Sequence, residues 1–175
     1  MRSGVLGFAI ALILTACATS AASTPSDRVL ATSEAGVMRD YDSFASPPVN
    51  IPAPPDSVYP VLTAIYKELG IEIEVYDPPR GEIGNKSFSK MYRLGSTPLH
   101  EFVGCGSTMT GPAADSYRVQ MSLVTHLKVS ATGTTAQTVL TARAADTGSS
   151  KGWISCLSTG ILEARVNKAL ASRHW

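Results

Sequence analysis

The stretch Tyr117-Arg118-Val119-Gln120-Met121-Ser122-Leu123-Val124-Thr125-His126-Leu127-Lys128-Val129 decides the fold class. Tyr117, Val119, Met121, Leu123, Thr125, Leu127 and Val129 take alternate positions, with Arg118, Gln120, Ser122, His126 and Lys128 mostly between them. Side-chain character of period two puts one set on each face of a pleated strand, so the segment reads as a long strand with one buried face. Ala131-Thr132-Gly133 supplies a turn, and Thr134 to Ala144 returns as the second strand of a hairpin. The inward face of the return strand, Ala136, Thr138, Leu140, Ala142 and Ala144, is unusually small. Such a face either admits a closely packed helix or leaves a hollow.

Two helices are expected to cover this hairpin. Upstream, Val58, Leu62, Ile65 and Leu69 recur at i, i+4, i+7 and i+11, one apolar stripe of an amphipathic helix. Asp56 or Ser57 is the expected N-cap, with Ser57 favoured because Pro60 then falls in the first turn, where its missing N–H is not needed. Gly70 stands where a left-handed C-terminal residue is wanted. Downstream, Cys156-Leu157-Ser158-Thr159-Gly160 reads as a capped helix start, with Glu163 in the first turn and Leu162, Val166 and Leu170 four apart. Trp153, just before that start, is expected to cover the end of the core.

Between the first helix and the hairpin, Ile71-Glu72-Ile73-Glu74-Val75-Tyr76 alternates as a half-buried strand. Asp77-Pro78-Pro79-Arg80-Gly81 turns it into a second strand from Glu82 to about Ser89, antiparallel because so short a loop cannot make a parallel crossover. Tyr92 to Asp115 reads as an irregular loop around one short element. Its Gly104-Cys105-Gly106 matches neither GxGxxG nor GxxxxGK[ST], and a tight bend presenting Cys105 needs the same glycines. A first strand from Val37 to Phe44, before the Pro-rich passage Pro47 to Pro55, completes the expectation. Together these elements specify an α+β domain: an antiparallel β-sheet packed on one face by two helices.

At the N-terminus, Arg2 and the apolar run Val5 to Leu14 have the form of a signal peptide, and the run is too short for a membrane span of roughly 20 residues. It closes on Leu14-Thr15-Ala16-Cys17, which resembles a bacterial lipobox. In that family the peptide is cut before the cysteine, whose thiol and new amine are acylated. The resemblance therefore implies residues 1–16 as a lipoprotein signal peptide and lipid on Cys17. More than one acyl chain provides the two signals that stable anchoring needs. Small, polar sequence then continues as a tether over residues 17–34, and residues 35–175 form one globular domain of ordinary size. Ala18 stands where the family's inner-membrane retention signal is an aspartate. The family then implies an outer-membrane address facing the periplasm, if the source has two membranes.

Lys and Arg number 15 against 14 Asp and Glu, and loss of residues 1–16 removes only Arg2, leaving a neutral remainder. Neutrality argues against nucleic acid or a strongly acidic lipid as partner, since either calls for a basic stripe. With Cys17 lipidated, Cys105 and Cys156 remain as an even pair in an oxidising compartment. A disulfide between them closes a loop of about 50 residues and contributes roughly 4 kcal/mol in the chain-entropy model. The alternative is two unrelated buried thiols. Metal is not expected, as there is no CxxC and only His100, His126 and His174 to assist. No cofactor motif is present, and His126 points from the polar strand face as a solvated side chain.

Val58-Tyr59 through Gly70, Ile71 to Val75, Asp77 and Gly81-Glu82-Ile83 resemble the start of helix-grip domains. These occur in envelope lipoproteins such as the C component of the outer-membrane β-barrel assembly machinery. The likeness covers about a quarter of the chain, and the cysteine pair lies outside it. It implies a non-catalytic scaffold that docks envelope proteins through a sheet edge or helix groove. The alternative is a carrier, since other helix-grip families hold an apolar ligand between the sheet and the C-terminal helix. An enzyme is the third expectation, because no nucleophile, base and orienting residue stand at recognisable spacing.

Overall fold

The structure, a computed structural model, describes residues 44–148 and 152–175. The expected lipid site Cys17, the signal peptide and tether, and the strand expected from Val37 up to Ser43 lie outside the described residues. In chain order the elements begin with β1 (Phe44–Ala45), β2 (Val49–Ile51), α1 (Pro55–Glu68), β3 (Val75–Asp77) and β4 (Glu82–Met91). Then come five two-residue strands, β5 (Arg93–Leu94), β6 (Thr97–Pro98), β7 (Val103–Gly104), β8 (Ser107–Thr108) and β9 (Gly111–Pro112). The chain finishes with β10 (Arg118–Ser130), β11 (Gly133–Ala145), β12 (Ile154–Ser158) and α2 (Ile161–Ala171).

β10 and β11 pair antiparallel from Arg118 opposite Ala145 down to Ser130 opposite Gly133. The main sheet runs β3-β4-β10-β11-β12-β7, and β11 takes β2, β1 and then β12 in succession along its other edge. Among the described residues this makes eight strands, all paired antiparallel, with α1 and α2 packed on the sheet and on each other. Alternation along β10 sorts the side chains: Val119, Met121, Leu123, Thr125 and Leu127 are buried, while Lys128 is exposed on the other face and His126 is partly exposed there. Val129 departs from the pattern and is exposed, near the hairpin tip.

One irregularity in β4 keeps both of its halves in register with the core. Asn85 pairs with Leu123 and Phe88 with Met121, so Lys86 and Ser87 together oppose the single Ser122. Without that bulge, residues three apart would point to opposite faces. Asn85 secures the bulge: its side-chain amide donates to Glu72 O at 2.9 Å, and its Oδ1 accepts from Ser87 N at 2.8 Å. Just before it, Gly84 has φ +151°, and a Cβ there would lie 2.2 Å from Leu123 O. Only glycine lets β4 approach β10 so closely.

Buried Val58, Tyr59, Leu62, Ile65 and Tyr66 give α1 its inward stripe. The helix starts three residues earlier than the Ser57 cap implies: Pro54 is the capping residue without a side-chain bond, and Pro60 lies inside the helix. Pro55 in the first turn supplies a pre-set φ that makes the hydroxyl cap unnecessary. Gly70 ends the helix with φ +70°, its N–H donating to Lys67 O while Ile71 N donates to Tyr66 O. The following strand is shorter than its alternation suggests. Ile71 turns into the core, Glu72 and Glu74 stay exposed, and ladder pairing begins only at Val75.

A chain of hydroxyls crosses the core. Tyr66 Oη lies 3.1 Å from Thr125 Oγ1, which is 2.9 Å from Thr138 Oγ1 on the neighbouring strand. Ser46 Oγ donates to Thr138 O at 3.0 Å and accepts from Thr138 N at 3.2 Å. These buried polar groups are satisfied, so they fix the placement of α1 on the sheet without a desolvation penalty. Burial raises the Tyr66 pKa, with the Thr125 contacts pulling the other way, so the phenol stays protonated.

The C-terminal segment corrects one expectation. Cys156 lies not at a helix start but within β12, and α2 begins at Ile161. β11 offers an open ladder edge at Ala142 to Ala144, and Ile154 to Cys156 take it before the chain can turn helical. Ser158 and Thr159 still supply capping chemistry, accepting from Gly160 N at 3.0 Å and Ile161 N at 3.4 Å. Glu163 lies in the first turn of α2 as expected, and it is 0% exposed. Ser158 Oγ donates to its Oε1 at 2.6 Å, while Oε2 has no partner.

Burial raises the Glu163 pKa, opposed by the Ser158 hydroxyl and backbone hydrogen bonds, and no charged neighbour contributes. The folded state therefore holds this proton more tightly than the unfolded one. Stability is full below the ordinary carboxyl range and falls as pH rises through the raised folded value. Chemical denaturation of Glu163→Gln should show that fall removed, the variant keeping more of its stability than the parent as pH rises above the ordinary carboxyl range. Equal slopes in the two proteins would assign the pH dependence elsewhere.

Candidate functional site

The Tyr92–Asp115 segment is not a loose loop. It buries Leu94, Leu99, Phe102, Val103, Cys105, Ala113 and Ala114 in the same core as the helices. Two miniature hairpins, β5-β6 and β8-β9, alternate with 3₁₀ turns at Leu99–Glu101 and Ala113–Asp115. Glycines and prolines hide this packing from a periodicity reading, because strands of two residues carry no period.

Cys105 and Cys156 form a disulfide, with Sγ–Sγ 2.09 Å and Cα–Cα 4.3 Å. The bond fastens the glycine-rich segment to β12, not to the helix. β7 pairs beside it, Val103 and Gly104 facing Ser158 and Leu157, so bond and ladder reinforce each other. Thr159 adds a third tie, its hydroxyl donating to Glu101 O at 2.6 Å.

The histidines are placed as follows. His100 Nδ1 contacts Asp115 Oδ2, and His100 N donates to Asp115 Oδ1 at 3.0 Å, so this pair joins the two 3₁₀ turns. The pair is 15 residues apart in sequence with no spacing signal, which is why sequence reasoning missed it. It has the orientation of a carboxylate-positioned imidazole, but both partners belong to the packed segment and serve to close it. His126 Nδ1 lies 3.8 Å from Glu82 Oε1 on the outer sheet face, and His174 is exposed near the C-terminus. The Glu82 carboxyl sits below its usual range, first because Lys86 hydrogen-bonds it. Among the described residues no three His, Cys, Asp or Glu side chains converge as a metal site, and no helix is long and apolar enough to cross a membrane.

The second concentration of chemistry lies on the outer sheet face, away from the helices. Trp153, expected over the end of the core, is 40% exposed there. The guanidinium carbons of Arg118 and Arg143 lie 5.4 and 4.6 Å from its ring centroid. Arg143 stands opposite Gln120 in the β10–β11 register, and Arg118 is two positions along the same face. Arg143 Nε donates to Gln120 Oε1 at 2.7 Å, and Gln120 Nε2 donates to Ser87 Oγ at 2.6 Å. Alternation correctly sends Arg118 and Gln120 outward. It says nothing of Trp153, whose placement depends on β12 joining the sheet.

β11 and α2 pack against each other. Ala136, Leu140 and Ala144 are buried against Leu162, Val166 and Leu170, all within one continuous apolar cluster. An open groove of about 400 Å³ lies instead at the hairpin tip, lined by Pro52 to Pro55, Val129, Ser130, Thr132 and Gly133.

The chain matches no protein-family model, no curated protein and no solved structure.

Removing the disulfide should loosen the whole Tyr92–Asp115 segment. Cys105→Ser is expected to cost about 2–5 kcal/mol in non-reducing buffer and far less when both proteins are compared under strong reductant. Equal losses under the two conditions, measured by denaturant unfolding, would mean that the sulfurs act only by packing.

Proposed function

We propose that this protein is a lipid-anchored envelope lipoprotein whose domain, of helix-grip type, is a non-catalytic docking module for envelope proteins. The observation that carries docking over carriage is the filled interface between β11 and α2. Small side chains on the strand and Leu162, Val166 and Leu170 on the helix are buried in one apolar cluster, which supports close packing of helix on sheet over an enclosed ligand site. One helix before the long strands β4, β10 and β11 and another after them, both packed on an antiparallel sheet, support the helix-grip reading. The lipobox resemblance at Leu14 to Cys17 supports anchoring through Cys17, and Ala18 supports an outer-membrane address. With a disulfide holding its most irregular segment, the domain presents a rigid surface, and rigidity lowers the entropic cost of binding a partner.

The test is crosslinking in the cells that make the protein, combined with mass spectrometry of its mature N-terminus. The expected result is a triacylated Cys17 and a discrete crosslinked protein partner, lost or redistributed in Cys17→Ser. A cut elsewhere, an unmodified Cys17, or a monomer without protein adducts at every surface tested contradicts the reading.

A further inference from the structure

We propose that the outer sheet face around Trp153 is the docking surface and that its occupant is an extended, acidic segment of a protein partner. The inference rests on the docking reading and names the partner chemistry.

Charge is the first reason. Among the described residues, Arg80, Arg165 and Arg173 each have a carboxylate within 4.0 Å, at Asp77, Glu101 and Glu68. Arg118, Arg143 and Arg93 have none; Arg93 donates to Ser96 O at 3.0 Å, whereas Arg118 and Arg143 share one aromatic ring. Asp146, one residue past the Ala145 that faces Arg118, is turned to its own loop and accepts from Gly148 N at 2.9 Å. Two guanidiniums are thus gathered without compensation on a chain with little net charge. A guanidinium fork pairs in plane with one carboxylate, so two forks on one face suit two acidic side chains. Nucleic acid and an anionic bilayer both call for a broader basic surface.

Preorganisation is the second reason. Arg143 is held through Nε by Gln120, which is held by Ser87, leaving the Nη edge of the guanidinium for a ligand. Stacking against Trp153 restricts both arginines further. Tryptophan and arginine are the residue types that most often dominate binding energy at protein interfaces.

The third reason concerns the shape of the partner. β7 pairs with β12 only at Leu157 and Ser158, and Cys105 adjoins Cys156. Beside Ile154 and Ser155 the far edge of β12 therefore has no partner strand among the described residues. Ile154 and Leu157 on the same strand are 41% and 51% exposed. Ile154 stands opposite the inward-facing Ala144, and Leu157, three residues on, faces the other side with Arg143, so an extended segment can follow that edge with its apolar side chains on the Ile154 face and its acidic ones directed towards the arginines.

The test uses the full-length, disulfide-intact protein in detergent and two synthetic probes, a short peptide of alternating Glu and Val and the same peptide with Gln for Glu. Titration should show the Glu peptide binding about tenfold more tightly, the margin falling with added salt. Arg118→Gln combined with Arg143→Gln should remove the preference, while Arg173→Gln keeps it and all variants retain the parent melting temperature. Equal affinity for the two peptides, or an unchanged preference in the double variant, overturns the proposal. Selective binding of phosphatidylglycerol vesicles without preference for the Glu peptide also overturns it, assigning the patch to a membrane. A photocrosslinker at Ser155 in cells separates this inference from the docking reading. Adducts there support the patch, and adducts only from other faces refute it while docking stands.

Discussion

The thirteen-residue pairing of β10 with β11 is the constraint on which the other elements depend. β10 gives its second edge to β4, and through it to β3. β11 gives its own to β2, β1 and β12, one after another. Every strand of the main sheet is thus within two ladders of this hairpin. Both helices rest on the face it creates. The hydroxyl chain from Tyr66 through Thr125 to Thr138 and Ser46 runs across the same two strands. A slip of one residue would send Thr125 and Thr138 to solvent and bring His126 and Gln137 into the core, so register and helix placement are enforced together.

That dependence explains how much was legible beforehand. The hairpin announces itself through period two, and α1 through its stripe from Val58 to Leu69, because both have local periods fixed by burial of one face. Elements set by long-range pairing are quieter. Ile154 to Ser158 reads as the approach to a helix until β11 is known to have a free edge at Ala142. Cys156 is therefore expected at a helix start and Trp153 over the core, whereas Cys156 belongs to β12 and Trp153, just before that strand, lies against the outer face of the sheet. The bulge at Lys86 and Ser87, the burial of Glu163 and the His100–Asp115 pair are likewise products of the tertiary arrangement. The cysteine pairing was accessible because counting and compartment, rather than local pattern, carried the inference.

The same topology separates the domain into two surfaces of different character. On the helix side, small side chains along β11 and branched ones along α2 fill the interior, and the buried acid Glu163 lies within it. The opposite side carries the guanidiniums, amide and hydroxyl of Arg118, Arg143, Gln120 and Ser87 around a half-exposed Trp153. A closed interior and an organised exterior fit a protein that acts by being bound. They fit poorly with one that encloses a cargo.

Mass spectrometry of the protein isolated gently from the cells that make it, first under native and then under denaturing conditions, addresses that distinction most directly. A docking domain with a filled core has the same mass in both, because everything it carries is covalent. A non-covalent apolar molecule present in the native spectrum and lost on denaturation would show that sheet and α2 separate to hold a ligand, and the protein would be a carrier.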